Sequence, residues 1–378
     1  MTDMNLVQSP ARPCVGLAET VIDLSVVRDN VKTLSKRIRP GTEIMAIVKA
    51  DGFNHGAAQI ATAAIEAGAT WLGVARAEEA LQLRAAGLTE PIMIWLYDAS
   101  ELLLLKDIDV SVSTVAELQQ IASAPNVHNV HLKLDTGMHR GGSAPDQWIE
   151  LTRTAAHYEA LGTLRIRGIW SHLSHGDEPD ASHSTRQLQL LRTGVALARR
   201  AGLTPDFVHL ANSSGALTLD APDCNMVRIG AGLFGIDEVD AGLRQPMQFV
   251  TKVVQVRRIR AGEGVSYGHD FIAERDTTVA LIPIGYADGV PRIAGAQASV
   301  LVRGVRLPVV GRITMDQFVV DAGDLPIEVG TPVIVFGNGD AGEPTAADWA
   351  DWAGTIPHEI YCGLGTRVPR RYVEGTQR

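Results

Sequence analysis

Lysine is scarce in this chain: of 34 basic residues only Lys32, Lys36, Lys49, Lys106, Lys133 and Lys252 are lysines. Lys49 closes an apolar run, Ile44-Met45-Ala46-Ile47-Val48, and precedes Ala50-Asp51-Gly52-Phe53-Asn54-His55-Gly56. Desolvation lowers a lysine pKa, and a neutral amine is what Schiff-base formation requires. A structural lysine paired with a buried carboxylate would look the same. Other polar residues also follow short apolar runs: Asp135-Thr136-Gly137-Met138-His139-Arg140, Ser171-His172, Asn212-Ser213-Ser214-Gly215 and Arg228-Ile229-Gly230. Taken singly, Arg140 and Arg228 read as ion-pair residues, His172 as a hydrogen-bonded core histidine and Ser213 as part of an ordinary helix cap.

The elements around them give these residues a common place. Eight short apolar runs lie at 43–50, 71–75, 91–95, 110–114, 130–136, 166–172, 206–211 and 226–230, and several are apolar on consecutive residues. That pattern suits parallel strands buried on both faces. Helical stretches separate most of them. One carries the stripe Ile60, Ala61, Ala64, Ile65 and stops at Gly68; another spans 76–86, and a third spans 182–201, each ending before a glycine. Eight strands alternating with helices is the count of a (β/α)8 barrel, an α/β fold, and an open doubly wound sheet fits less well. After residue 248 the texture changes to strands at 249–259, 278–284, 299–310, 317–321 and 332–336, separated or interrupted by glycine-bearing turns. The expected organisation is a barrel over 15–248 and a mainly β C-terminal domain over 249–378.

In such barrels chemistry gathers at the C-terminal ends of the strands, so Lys49, Arg140, His172, Asn212, Ser213, Arg228 and Gly230 are expected around one mouth. Asn212-Ser213-Ser214-Gly215 reads as the capped start of a short helix after the seventh strand. Backbone N–H groups at such a start attract anions, and the loops after strands seven and eight recur as phosphate sites. A Schiff-base lysine facing a phosphate cradle points to pyridoxal phosphate or to a phosphosugar aldolase. The second domain favours the former, because a simple barrel aldolase has no need of it.

Composition narrows the class further. A net charge of −9, with no basic run, argues against a nucleic-acid surface. Cys14, Cys224 and Cys362 are odd in number and far apart, so no disulfide framework or metal-binding CxxC is expected. No apolar run approaches the roughly 18 residues of a membrane span, and residues 1–13 lack a signal-peptide core. The expectation is a cytoplasmic enzyme with no metal.

The chain resembles the alanine racemase family in many separate motifs. Val48-Lys49-Ala50-Asp51-Gly52-Phe53-Asn54-His55-Gly56 is similar to its cofactor-lysine signature. Lys133-Leu134-Asp135-Thr136-Gly137-Met138-His139-Arg140, His172, Ala211-Asn212-Ser213 and Val227-Arg228-Ile229-Gly230 follow in the family's order. So do Val265-Ser266-Tyr267-Gly268, Gly285-Tyr286-Ala287-Asp288-Gly289, Gly311-Arg312-Ile313-Thr314-Met315-Asp316 and Arg367-Val368-Pro369-Arg370. The resemblance implies that Lys49 carries pyridoxal 5'-phosphate and is the base on one face of the substrate. It implies that Tyr267, from the partner subunit of a homodimer, works on the other face. Arg228 would bind the pyridine nitrogen; His172, Asn212, Ser213 and Gly230 would lie around the cofactor. Arg140 and Met315 would bind the substrate carboxylate, supported by Lys133 (carbamylated in relatives) and Asp316.

Two bases on opposite sides are the simplest way to remove a Cα proton from one face and return one to the other. A tyrosine, titrating near pH 10 when unperturbed, needs cationic neighbours to act as a base near neutrality. Two positions depart from the family: a tyrosine is usual where Phe53 and His358 stand, and Phe53 cannot donate a hydrogen bond. The expected activity is racemisation of L- and D-alanine. The alternatives are racemisation of serine, lysine or another amino acid, decarboxylation on the same fold, and non-catalytic cofactor carriage. Arg228 argues against decarboxylation, and the β domain with Tyr267 argues against a carrier.

Overall fold

The computed structural model describes residues 16–375. Cys14 and the outer ends of the two expected domains, residues 15 and 376–378, lie outside these. Val27–Leu243 form one compact unit; the described residues up to Val26 and from Arg244 form another. The first elements among the described residues are β1 (Ala18–Asp23) and the helix Leu24–Arg37.

Eight strands follow in the first of these units: β2 (Glu43–Ile47), β3 (Trp71–Arg76), β4 (Ile92–Leu96), β5 (Ile108–Val112), β6 (His128–Lys133), β7 (Leu164–Trp170), β8 (Phe207–His209) and β9 (Met226–Ile229). They pair in chain order, all parallel, and β9 returns to β2 with Ala46 opposite Ile229, which closes the barrel. All eight expected runs are barrel strands. The fourth, β5, lies two residues earlier than its apolar run suggested, because Asp109 is buried inside the strand. The first ends at Ile47, leaving Lys49 in the turn beyond it.

Helices cover the barrel where their apolar stripes require it. Ala57–Glu66 buries Ile60, Ala61 and Ala64 and ends before Gly68, whose φ of +113° suits glycine. Ser182–Arg200 buries Leu188, Leu191, Val195 and Ala198. No described helix is long and apolar enough to cross a membrane.

The barrel interior is filled by side chains: Met45, Ile47, Trp71, Met93, Trp170 and Met226 form one cluster, with Trp95 and Phe207 against it. Space is made by glycines. A Cβ on Gly73 would stand 2.5 Å from Ile47 Cδ1, and one on Gly168 would stand 2.2 Å from His131 Nδ1.

The other unit is built on a nine-stranded sheet and a two-stranded ribbon. Its strands are β1, β10 (Met247–Lys252), β11 (Gln255–Ile259), β12 (Gly264–Val265), β13 (Phe271–Ile272), β14 (Thr277–Ile282), β15 (Ser299–Val302), β16 (Val305–Val310), β17 (Phe318–Gly323), β18 (Pro332–Phe336) and β19 (Arg370–Val373). The sheet order is β11-β14-β17-β16-β15-β18-β10-β1-β19, with β12 and β13 forming the ribbon. The expected strand at 249–259 is two strands, because the chain changes partners at Val253 and Val254, which bond Thr331 and Leu281 in turn. The run at 299–310 is a hairpin whose turn, Arg303 and Gly304, has φ of 48° and 75°, as a two-residue type I′ turn demands.

Residues 18–23, which the sequence reading placed with the barrel, hydrogen-bond into this second sheet instead. β1 lies antiparallel to β10 and parallel to β19. Arg371 donates from Nε and Nη2 to the buried Glu19 carboxylate at 3.1 and 3.0 Å, a two-pronged pair between β19 and β1.

Gly168→Ala should force the His131 ring aside and destabilise the protein by about 1–3 kcal/mol, the usual scale of overpacking. Denaturant unfolding followed by fluorescence checks this; an unchanged midpoint would show that the ring moves at no cost.

Candidate active site

The chain leaves β2 through a left-handed turn. Ala50, Asp51, Gly52, Phe53 and Asn54 have φ of 54°, 52°, 59°, 51° and 59°. Each residue with a Cβ pays about 1–2 kcal/mol for that conformation, so outside contacts must hold it. Asp51 Oδ1 accepts from the Ala57 N–H at 2.9 Å, which starts the next helix. His55 Nδ1 lies 3.0 Å from the Gly52 carbonyl and 2.9 Å from that of Phe53. Phe53 is buried and stacks on Phe234 with ring centres 4.6 Å apart. The ring at this departure from the family is thus packed in an apolar stack. Lys49, at the head of the turn, has its Nζ 5.8 Å from the Trp95 ring centre.

Arg228, in β9, is buried in the barrel. Its Nη2 donates to the carbonyls of Ser171 at 2.7 Å and Leu210 at 2.9 Å and to His172 Nδ1 at 3.1 Å. Its Nη1 donates to His209 Nδ1 at 2.9 Å. His209 Nε2 lies 3.0 Å from His131 Nδ1, and His131 Nε2 lies 3.0 Å from Asp109 Oδ2. Because an arginine only donates and a carboxylate only accepts, the chain runs one way, with both imidazoles neutral and protonated on Nε2. Arg167 Nη1, 3.2 Å from each Asp109 oxygen, and Asn129 Nδ2, at 3.0 Å, complete the carboxylate's partners. Among the described residues no carboxylate pairs directly with Arg228.

The electrostatics follow from this arrangement. Burial lowers the Arg228 pKa, to about 9, so the group stays cationic at neutral pH. Burial, then Arg228, Arg140, Lys133 and Lys49, push His172 down to about 3, so it is a neutral ring. Burial and Arg228 also put His209 well below the ordinary histidine range. Burial alone would raise Asp109, but His131, Arg167 and Asn129 together hold it below the usual carboxylate value.

Lys133 ends β6, with Nζ 4.6 Å from the Trp170 ring centre; Arg228 Cζ lies 4.8 Å from the same centre. Trp170 is fixed by stacking on His209 and by its Nε1 donating to Ser111 Oγ at 3.0 Å. Burial, then Arg140 and Arg228, lower the Lys133 pKa. The loop to Arg140 is shaped by Asp135, whose Oδ1 accepts from the N–H groups of Gly137, Met138 and His139 at 2.9, 3.1 and 3.2 Å.

After β8, Asn212 caps the helix Ser213–Thr218 by accepting from the Gly215 N–H at 3.0 Å. Ser213 Oγ accepts from the N–H groups of Gly230 at 3.0 Å and Gly232 at 3.1 Å. A hydroxyl whose lone pairs take two donors turns its own hydrogen to an acceptor, here beside the loop after β9.

The remaining expected residues lie in the second unit. Tyr267 is 72% exposed and follows Ser266, whose φ of 61° and ψ of −169° fall in a region ordinarily kept for glycine. Ser266 Oγ donates to the Arg312 carbonyl at 3.0 Å, and Arg312 holds Asp270 from Nε at 2.5 Å and from Nη2 at 3.0 Å. Tyr267 borders a surface cleft of about 430 Å³ with Thr314, Gln317 and Phe318. Met315 is exposed in the same turn, and Asp316 accepts from Arg367 Nη1 at 2.7 Å. His358 lies in the helix Pro357–Cys362.

Sequence reasoning found the residues at the strand ends but passed over Asp109, His131 and His209, which lie within the strands. Their signal was polarity inside apolar runs; nothing local says that they face the barrel interior. Glu79, which bonds the Ala50 N–H at 2.6 Å, was also passed over.

The one-way chain predicts that nitrogen-15 NMR will find His131 and His209 neutral, protonated at Nε2, at neutral pH. An Nδ1–H form or an imidazolium at either ring would break the chain as drawn. Asp109→Asn should cost about 3 kcal/mol of stability, since it strips a buried carboxylate from its partners.

Residues 22–238 match the family described as "Alanine racemase, N-terminal domain", and residues 246–372 match "Alanine racemase, C-terminal domain". An alanine racemase of Salinispora arenicola is 42% identical over 366 residues, covering 94% of this chain and 98% of that one. An alanine racemase of Streptomyces coelicolor is 43% identical, covering 94% and 96%. Among solved structures, the alanine racemase from D-cycloserine-producing Streptomyces lavendulae superposes with a TM-score of 0.92 at 40% identity, covering 96% and 98%. With both halves matched and the same order of barrel and β unit, the chain belongs to the alanine racemase family.

Proposed function

We propose that this protein interconverts L-alanine and D-alanine with pyridoxal 5'-phosphate, as a cytoplasmic homodimer that supplies D-alanine. The observation that carries the reading is the barrel mouth itself, where Lys49 stands in the same field as Arg228 and neutral His172. The residues fit the cofactor by chemistry: an amine for its carbonyl, a buried arginine for its ring nitrogen, and the Ser213 hydroxyl beside Gly230 for its phosphate, with Asn212 shaping that turn. When bound, pyridoxal phosphate supplies an electron-withdrawing ring that acidifies the Cα–H of an amino acid joined to it.

The rest is the work of this chain's residues. Arg228 would donate to the ring nitrogen without surrendering its proton, which would limit side reactions such as transamination. Lys49 takes or returns the Cα proton on one face, and Tyr267 of the second subunit does so on the other. Arg140 and Met315 hold the substrate carboxylate, with Asp316 anchoring the Met315 turn through Arg367. Lys133, among Arg140 and Arg228, is better suited to carry a negative carbamate than a positive ammonium, and so to steady Arg140. In this reading 15–248 binds the cofactor and 249–378 contributes the second base, with β1 counted in the sheet of the latter.

If the site is shared, mixing inactive Lys49→Ala and Tyr267→Phe subunits should restore activity through hybrid dimers that each hold one intact site. No recovery after verified subunit exchange would rule out sharing.

Tyr267→Phe should also separate the two faces. Deuterium exchange at Cα of L-alanine should fall by about 10²–10⁴, the usual cost of losing a general base, while exchange of D-alanine by Lys49 persists. Mass spectrometry of each enantiomer in heavy water reads this. Equal losses from both, with cofactor still bound, would show that Tyr267 is not specific to one face.

A further inference from the structure

Glu79 serves two elements with one carboxylate. It is the third residue of the helix Ala77–Ala85, and its Oε2 accepts from the N–H groups of Ala75 at 2.8 Å and Arg76 at 3.0 Å. That is the usual reach of an acid in a capping box. Its Oε1 leaves this helix and accepts from the Ala50 N–H at 2.6 Å, at the residue after Lys49.

The barrel carries its own comparison. Glu117 holds the same place in the helix Val115–Ala122, and its Oε2 accepts from Ser113 at 2.6 Å and Thr114 at 3.3 Å. Among the described hydrogen bonds, Glu117 reaches no other strand-helix pair. Capping therefore accounts for Glu117 in full and for only half of Glu79.

The second half falls where the backbone most needs it. Ala50 opens the run of positive φ that ends at Asn54, and four of those five residues carry a Cβ. A bond from the first N–H of the run to a charged acceptor ties it to the end of β3, the strand next to β2. We propose that Glu79 is a positioning residue for Lys49: its Oε1 holds the left-handed turn and so fixes the backbone from which the Lys49 side chain departs. The proposal rests on the reading of Lys49 as the lysine that carries the cofactor.

The test compares full-length wild type, Glu79→Gln, Glu117→Gln and the double variant Glu79→Gln/Ala50→Gly. In cofactor-free protein, hydrogen–deuterium exchange of peptides covering 48–56 should quicken about tenfold or more in Glu79→Gln, the scale of a lost bond to a charged group, and stay unchanged in Glu117→Gln. Pyridoxal phosphate affinity should fall by about the same factor in Glu79→Gln alone. The double variant should recover part of it, because glycine adopts the left-handed conformation without strain. Equal behaviour of the two glutamine variants, or an affinity loss that glycine does not relieve, would overturn the proposal. Should Glu79→Gln fail to fold, Glu79→Asp keeps the charge but is too short to span both elements. It must show the same quickening at 48–56, and unchanged exchange there overturns the proposal. Borohydride reduction and peptide mapping of the wild type keep the two readings apart. Absence of a cofactor adduct on Lys49 there would reject the lysine assignment, whereas an adduct on Lys49 with unaltered Glu79→Gln affinity would reject only the role of Glu79.

Discussion

A guanidinium enclosed in a barrel is the constraint around which this protein is arranged. Moving a cation out of water is costly unless acceptors surround it, and a carboxylate in direct contact would neutralise the charge locally. Arg228 instead meets two carbonyls and two neutral imidazoles, and the nearest anion in its hydrogen-bonded chain, Asp109, is two rings away. The positive charge is thereby balanced at a distance and not neutralised by an adjacent carboxylate. Other choices depend on it: Gly168 makes room for the His131 ring, and the indole of Trp170 lies flat against His209.

Both residues proposed as bases stand next to backbone in unfavourable conformations. Lys49 precedes five residues of positive φ, and Tyr267 follows Ser266 in a conformation ordinarily kept for glycine. Strain of this kind persists only where surrounding contacts over-determine it. Here those contacts are charged: Glu79 and Asp51 for the first, and the Arg312–Asp270 pair beside the second. Two unrelated stretches of chain thus reach the same solution, a distorted turn braced by carboxylates, which limits the wandering of the side chain it presents.

Much of this was legible in the sequence because burial on both faces writes an unbroken apolar run, and chemistry in a closed barrel gathers where such runs end. Lys49, His172, Ser213 and Arg228 could be placed on that rule alone. Asp109, His131 and His209 could not, since a polar residue within a strand reads alike whether it faces the helices or the interior. Only the register between neighbouring strands decides. Glu79 was hidden differently: its capping pattern fully explains an acid at that place, so its second contact leaves no mark. β1 escaped because its partners, β10 and β19, lie hundreds of residues away, and six residues carry no record of so distant a pairing.

That distant pairing governs the order in which the chain can become complete during synthesis. β1 emerges before the barrel strands, yet its parallel partner β19 (Arg370–Val373) is made only after them. The barrel strands all appear between them and can close on one another while β1 waits with an open edge. Until β19 is made the buried Glu19 therefore lacks Arg371, and an unpaired strand is a template for association with other chains. Loss of residues 370–373 would leave the barrel strands whole and make that waiting state permanent. Residues 370–373 are thus the seal on β1.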